Sequence, residues 1–121
     1  MTDAKDDRLY LVHILDCIAR IRRYTLDGRE AFLDDEKSQD AVVRNLQTLA
    51  ESTQRLSSGV RALHPEVDWR RIRQFRNFVV HGYMDINYQR IWLVVEHQLN
   101  PLEQAVRQAL ADLDSSPASE D

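Results

Sequence analysis

One stretch of the chain, RQFRNFVVHGY from Arg73 to Tyr83, combines side chains that could act on a phosphate ester. An arginine stabilises negative charge on a phosphate, and a histidine transfers a proton to or from a ribose hydroxyl or a leaving oxygen. Arg76 and His81 are the candidates for these two roles. Their combination predicts a phosphodiester site.

The spacing of Arg76 and His81 limits how they can meet. They are five residues apart, so an unbroken α-helix would place them roughly 140° apart around its axis. They can act together if the helix ends before His81, which Gly82 permits, or if a second subunit supplies the missing partner. Alternatively, His81 caps a helix end, where an imidazolium favours the helix dipole, and Arg76 forms a surface ion pair. The spacing alone favours this alternative.

The surroundings of this stretch are basic, although the chain as a whole is acidic. Between Trp69 and Arg90 there are five arginines and one acidic residue, Asp85, which is a net charge of +4 within a chain of net charge −4. Any binding of nucleic acid must therefore be local. Arg70 and Arg73 could form a phosphate-binding rim, or they could be a solvated face that pairs with acidic helices.

A second pair of chemically capable residues, His13 and Cys17, has the i, i+4 spacing that can chelate a metal. Two ligands do not make a metal site, and the nearby sequence offers no third. Cys17 instead falls beside Ile14 and Ile18, where a thiol packs like a small apolar group. Glycine-rich phosphate loops, nucleophile elbows and zinc signatures do not occur in the sequence. We therefore expect neither a metal nor a cofactor.

The composition predicts one helical domain. The chain has 121 residues, of which 43% are apolar and 30% charged, with only three glycines and three prolines to build turns. It contains no run of apolar residues long enough to span a membrane. The first ten residues are polar and unlike a signal peptide, and one cysteine cannot form an internal disulfide. We therefore expect a cytoplasmic protein.

The apolar spacing predicts four long helices, at about residues 5–24, 38–63, 69–80 and 88–113, and a short helical turn near 28–33. The predicted apolar stripe of the second helix ends at Leu63, and that of the first contains Leu11, Ile14, Ile18 and Ile21. Asp68 and Asn87 are suited to cap the starts of the third and fourth helices. Pro65 ends the second helix, and Pro101 is expected to kink or break the fourth near Leu99. The predicted fold is an all-α, antiparallel bundle of four to five helices over residues 1–113. Residues 114–121 are expected to be a disordered tail.

The segment RNFVVHGY has the pattern Arg, four residues, His, one residue, Tyr. This pattern resembles the signature of HepT-like toxins, a branch of the HEPN superfamily of helical ribonucleases. AVVRNLQTLAESTQRLS at residues 41–57 resembles the second helix of that family, and HPEVDWRRIRQFRNFVVHGY at 64–83 resembles the lead-in to its catalytic helix. IWLVVEHQLNPLEQ at 91–104 resembles its last helix. The likeness covers about residues 8–113.

The resemblance implies a HEPN-like homodimer that cleaves RNA without a metal. Arg76 and His81 would be the catalytic pair, the ribose 2′-hydroxyl would attack the adjacent phosphate, and Asn77 would help to hold that phosphate. The two motifs of a dimer would face a shared cleft. The family's antitoxin is a minimal nucleotidyltransferase that attaches AMP to the motif tyrosine, here Tyr83. Bulk and negative charge placed two residues from His81 would block RNA.

One departure from the family pattern lies on the second helix. Where the family usually has Ile-Gly-Glu, this chain has Leu49-Ala50-Glu51, which retains Glu51 as a supporting residue.

Two other functions stay open. The acidic net charge also suits a non-catalytic helical dimer that serves as the binding subunit of a nucleotidyltransferase. Alternatively, the arginines could hold a free nucleotide in a nucleotide-binding module.

Overall fold

The computed structural model of the chain describes residues 4–77 and 86–115. No β-strand occurs in these residues, so the prediction of an all-α fold is confirmed. The helices are α1 (Ala4–Tyr24), α2 (Arg29–Leu33), α3 (Glu36–Gln54), α4 (Ser58–Ala62), α5 (Trp69–Arg73), a 3-10 turn (Gln74–Arg76), α6 (Tyr88–His97) and α7 (Leu99–Asp114). None of the described helices is both long enough and apolar enough to cross a membrane.

Helix α1 lies antiparallel to both α3 and α7. Near its start, the Asp7 carboxylate accepts hydrogen bonds from the backbone N–H and hydroxyl of Ser57, at 2.9 and 2.8 Å, just after α3 ends. Near its end, Arg22 donates to Asn100 and Glu103 in the first turns of α7, both at 2.9 Å. These contacts confirm the predicted antiparallel packing and place α1 between the other two long helices.

The core forms where the apolar faces of these helices meet. The predicted apolar stripe of α1 is fully buried, and so are apolar residues on α3, α5 and α7. The core formed by these helices includes Leu11, Ile14, Ile18, Ile21, Leu46, Leu49, Ile72, Leu99 and Leu102. Burying a side chain of this size contributes about 1.5–3 kcal/mol relative to leaving it exposed. This repeated contribution, rather than helix propensity, is what holds the helices.

The predicted single helix over residues 38–63 is wrong, because α3 ends at Gln54 and α4 begins at Ser58. At the break, the N–H groups of Arg55 and Leu56 bond to carbonyls only three residues back. The next donor, Ser57 N–H, is taken by Asp7 of α1 instead of a helical carbonyl. The break redirects the chain, and Leu63, which the periodicity placed in the core, is 71% exposed.

The start of the third predicted helix is confirmed. The Asp68 carboxylate accepts a hydrogen bond from the Arg71 N–H at 3.0 Å and caps α5. The Trp69 indole N–H donates to the carbonyls of Arg61 and His64, which fastens α5 to the preceding segment. After α5 the backbone tightens into the 3-10 turn. The predicted continuation to residue 80 and the stop at Gly82 lie outside the described residues.

The fourth predicted helix is divided as expected. Asn87 caps α6 by accepting from the Arg90 N–H at 3.1 Å. Helix α6 ends at His97 and α7 starts at Leu99, with Pro101 in its first turn. Proline has no N–H to bond back to the carbonyl of His97, so the break falls one turn before it. Asp114, the first residue of the predicted tail, is the last residue of α7. Residues 116–121 of the predicted tail lie outside the described part of the chain.

Candidate active site

The candidate site is built where the 3-10 turn packs against the C-terminal half of α3. Ile72 and Phe75, three residues apart, are both buried and anchor α5 and the turn in the core. Arg73 and Arg76 have the same spacing but are exposed. Because residues at i and i+3 are nearly eclipsed in a 3-10 turn and adjacent in an α-helix, Arg70, Arg73 and Arg76 form an outward arginine row.

Arg76 forms an ion pair with Glu51, 25 residues earlier in the chain. Its Nε lies 3.4 Å from Oε2 of Glu51, and the two side chains are 47% and 51% exposed. Both residues were predicted for the site, but their sequence positions did not indicate that they meet. The alternative suggested by the spacing, a surface ion pair, therefore describes this contact of Arg76. The partner, however, is Glu51, the supporting residue that the resemblance implies.

The position of Glu51 is set by its buried neighbours on α3. Ala50 is fully buried, and Ser52 is buried with its Oγ 2.6 Å from Nδ1 of His13 on α1. These two contacts fix the rotation of α3 about its axis at this turn. Glu51, between them, is thereby directed outward towards the 3-10 turn. The methyl group of Ala50, where the family usually has glycine, packs in the core.

The ion pair orients Arg76 but uses only part of its guanidinium. An exposed pair of this kind contributes only about 0–1 kcal/mol to stability, so it can open at little cost. A guanidinium offers five N–H donors on two edges, and contact through Nε leaves the outer edge with its two terminal amino groups. That edge can bind two phosphate oxygens in parallel.

The other residues predicted for the site fall into two groups. Arg70, Arg73 and Asn77 are exposed beside Arg76, where they can reach a ligand. His81 and Tyr83 lie outside the described residues. The structure thus brings together the arginine row, Asn77 and Glu51, and the role of each stays a prediction.

His13 and Cys17 form a partly buried polar chain with Ser52. Cys17 Sγ lies 3.9 Å from Nε2 of His13, whose Nδ1 meets Ser52. Cys17 is fully buried as predicted, and burial raises the pKa of its thiol, with Arg20 lowering it less. In the part of the chain that the structure describes, no three His, Cys, Asp or Glu residues are grouped to hold a metal.

Two further arginines lie on the same side of α3 as Glu51. Arg44 is seven residues before Glu51 and Arg55 is four residues after it, and both are exposed. They were not among the predicted site residues, because the prediction for this helix rested on its apolar residues. The signal was present in their spacing, since residues four or seven apart share a helix face.

The charges of the chain are segregated around this site. Residues 41–77, here called the basic segment, contain seven arginines and three acidic residues, a net charge of +4. The remaining residues contain nine cationic and seventeen acidic side chains, a net charge of −8. The positive charge of the basic segment therefore favours an anionic ligand at α5, the 3-10 turn and the part of α3 that starts at residue 41.

Comparisons with known proteins agree on one family. The family model described as Ribonuclease HepT-like matches residues 14–109. A Caldanaerobacter subterraneus protein named "Putative RNase TTE0752" is 33% identical over 88% of this chain and 96% of its own length. A Thermococcus cleftensis protein named "Probable ribonuclease HepT" is 30% identical over 78% of this chain and 86% of its own. No solved structure matches the chain significantly.

Proposed function

Because the chain belongs to the HepT-like ribonuclease family, we propose that it is a metal-independent endoribonuclease in which Arg76 and His81 act on one phosphodiester. The observation that supports this most is the exposed side chain of Arg76, oriented by Glu51 in the basic segment of an acidic protein. The all-α fold is HEPN-like, and RNA is the substrate that a ribonuclease family implies.

The reaction uses a nucleophile that the RNA itself carries. The ribose 2′-oxygen attacks the adjacent phosphorus while the bond from phosphorus to the 5′-oxygen breaks, which leaves a 2′,3′-cyclic phosphate and a 5′-hydroxyl. His81 takes the proton from the 2′-hydroxyl or delivers one to the leaving oxygen. Arg76 stabilises the charge that develops on the phosphate oxygens, and Asn77 holds the same group. No metal-bound water is needed.

Glu51 has a positioning role in this scheme. It contacts Nε of Arg76 and restricts the rotation of a long side chain, while the outer edge of the guanidinium faces the substrate. The ion pair is about half exposed and therefore weak. The carboxylate thus does not compete strongly with a phosphate that accepts two hydrogen bonds from the guanidinium. Arg70 and Arg73 extend the positive surface beside Arg76.

A homodimer and an antitoxin complete the proposal. Two copies whose motifs face a shared cleft would let Arg76 of one subunit act with His81 of its partner, which removes the constraint imposed by their spacing. The protein would act in the cytoplasm as the toxin of a type II toxin–antitoxin system. Its nucleotidyltransferase antitoxin would attach AMP to Tyr83 and place a phosphate close to His81.

Cleavage of RNA by the purified protein tests the activity. Wild type should cut RNA in the presence of EDTA, and His81→Ala should lower the rate by a factor of at least about 10². His97 is a matched control, because it is an exposed histidine on α6, and His97→Ala should cleave like wild type. Intact RNA after incubation with wild type, or equal cleavage by His81→Ala, would refute the assignment.

The AMP switch is tested separately by intact-mass measurement. Incubation with ATP and the nucleotidyltransferase should add AMP to wild type and not to Tyr83→Phe, and the modified protein should no longer cleave RNA.

A second function is supported by one observation, namely that Arg76 is already paired with Glu51. A non-catalytic binding subunit would bind the nucleotidyltransferase and leave every RNA intact.

A further inference from the structure

Arg44 and Arg55 flank the candidate site along α3. Counted at 100° per residue, Arg44 lies about 20° and Arg55 about 40° around the helix axis from Glu51. The separation of eleven positions between the two arginines corresponds to about 16 Å along the helix. Glu51, in contact with Arg76, lies between them. Along the axis of α3, Arg76 is therefore attached between Arg44 and Arg55.

The side chains of Arg44 and Arg55 are both exposed. No described residue lies within ion-pair distance of Arg44 or Arg55, whereas Arg22 and Arg107 share Glu103 and Arg29 contacts Glu30. Asp40 lies one turn before Arg44, and its carboxylate influences the titration of Tyr88 on α6. Burial raises the pKa of Tyr88, and the carboxylates of Asp40 and Glu36 raise it further. The charges of Arg44 and Arg55 are thus available to a ligand.

We propose that Arg44 and Arg55 bind phosphates of the RNA strand on either side of the phosphodiester held by Arg76. This inference rests on the proposed ribonuclease function and adds a path for the substrate, which runs along the outer face of α3. Three separated cations suit a chain of phosphates better than one compact anion, because each phosphate carries its own charge. The net charge of +4 on residues 41–77, which include all three arginines, favours a polyanion on this face.

The path predicts a dependence on substrate length. A dinucleotide offers one phosphodiester, which Arg76 occupies, and leaves nothing for Arg44 or Arg55. A single strand of about 12 nucleotides, within the length that single-strand-binding domains cover, can occupy all three positions. Replacing either arginine should therefore weaken the binding of long substrates and leave the binding of the dinucleotide unchanged.

The binding experiment uses the full chain with His81→Ala, so that RNA is not consumed. The affinity for a labelled single-stranded RNA of about 12 nucleotides is measured over a range of salt concentrations. Arg44→Gln and Arg55→Gln should each weaken binding roughly three- to tenfold, and each should reduce the salt slope by about 0.7, the value for one phosphate contact on a single strand. Glutamine keeps the side-chain length at an exposed position, so folding is retained.

Arg107→Gln is the matched control, because it removes the same charge from an exposed site on α7, on another side of α1. It should bind RNA like the parent protein. In the active protein, Arg44→Gln plus Arg55→Gln should lower kcat/KM for the long RNA at least tenfold relative to Arg107→Gln, with the dinucleotide unaffected.

Two outcomes would overturn the inference. The doubly substituted protein could bind long RNA with the affinity and salt slope of Arg107→Gln. Alternatively, it could keep its RNA affinity and lose its complex with the nucleotidyltransferase, in which case these arginines form a protein-docking surface. Failure of the proposed function gives a different result, since wild type would then cleave no RNA of any length, whatever stands at positions 44 and 55.

Discussion

Glu51 and Arg76 come from elements that are 25 residues apart in sequence, yet Oε2 of Glu51 lies 3.4 Å from Nε of Arg76. The contact is made possible by two buried anchors. Phe75 holds the 3-10 turn in the core, and Ser52 holds α3 against His13 of α1. The guanidinium is therefore oriented by packing below it and by a carboxylate beside it, while the side chain of Arg76 stays about half exposed.

Substituting Glu51 should affect the chemical step more than stability. Glu51→Gln removes the charge that orients Arg76, so we expect kcat to fall roughly tenfold with KM changed by less than about threefold. The free energy of unfolding should change by no more than about 0.5 kcal/mol, because the pair is exposed. Glu96→Gln, which alters an exposed carboxylate on α6, should change neither. Equal kinetics for Glu51→Gln and Glu96→Gln would exclude a positioning role.

Substituting Ser52 should affect stability directly. Ser52→Ala removes the hydroxyl at 2.6 Å from Nδ1 of His13 and leaves a half-buried imidazole nitrogen without that partner. We expect the free energy of unfolding, measured with urea, to fall by about 1–2 kcal/mol. Ser58→Ala, at an exposed position, should cost less than about 0.5 kcal/mol. If both substitutions cost the same, the contact between α1 and α3 does not depend on this hydrogen bond.

The Glu103 network should make stability depend on pH. Partial burial raises the pKa of Glu103, but hydrogen bonds from Arg107 and Arg22 lower it more, so the pKa is lower in the folded state than in the unfolded chain. The resulting stability is present above the ordinary glutamate pKa, near 4.3, and is lost as the pH falls through the lowered folded value.

Glu103→Gln tests this sign. At pH 7 the substitution should lower the free energy of unfolding by about 1 kcal/mol, and at pH 3 the difference from wild type should shrink towards zero. Urea unfolding at both pH values measures it. A difference that is as large at pH 3 as at pH 7 would show that the substitution acts through packing and not through charge.

Local residue types were sufficient to predict much of the fold. The spacing of Leu11, Ile14, Ile18 and Ile21 predicted the buried face of α1, because helical periodicity is a property of the chain itself. Asp68 and Asn87 were predicted as N-caps for a similar reason, since each acts on a backbone N–H only three residues away.

Features that depend on distant residues could not be predicted in this way. The break between α3 and α4 depends on Asp7, fifty residues before the Ser57 that it binds. The pairing of Glu51 with Arg76 likewise requires the packing of the 3-10 turn on α3. The arginine row was visible in sequence, whereas the position of Arg76 beside α3, between Arg44 and Arg55, depends on the packing of two elements.

Arg76 and His81 are proposed to promote attack by the ribose 2′-hydroxyl on its own phosphate, without a metal. This proposal is tested by cleavage in EDTA of two RNA strands that differ at one position, a ribose or a 2′-deoxyribose immediately before the scissile phosphate. Wild type should cut the all-ribose strand and leave a 2′,3′-cyclic phosphate, while the 2′-deoxy strand should stay intact at that position. Cleavage of both strands at equal rates would contradict it.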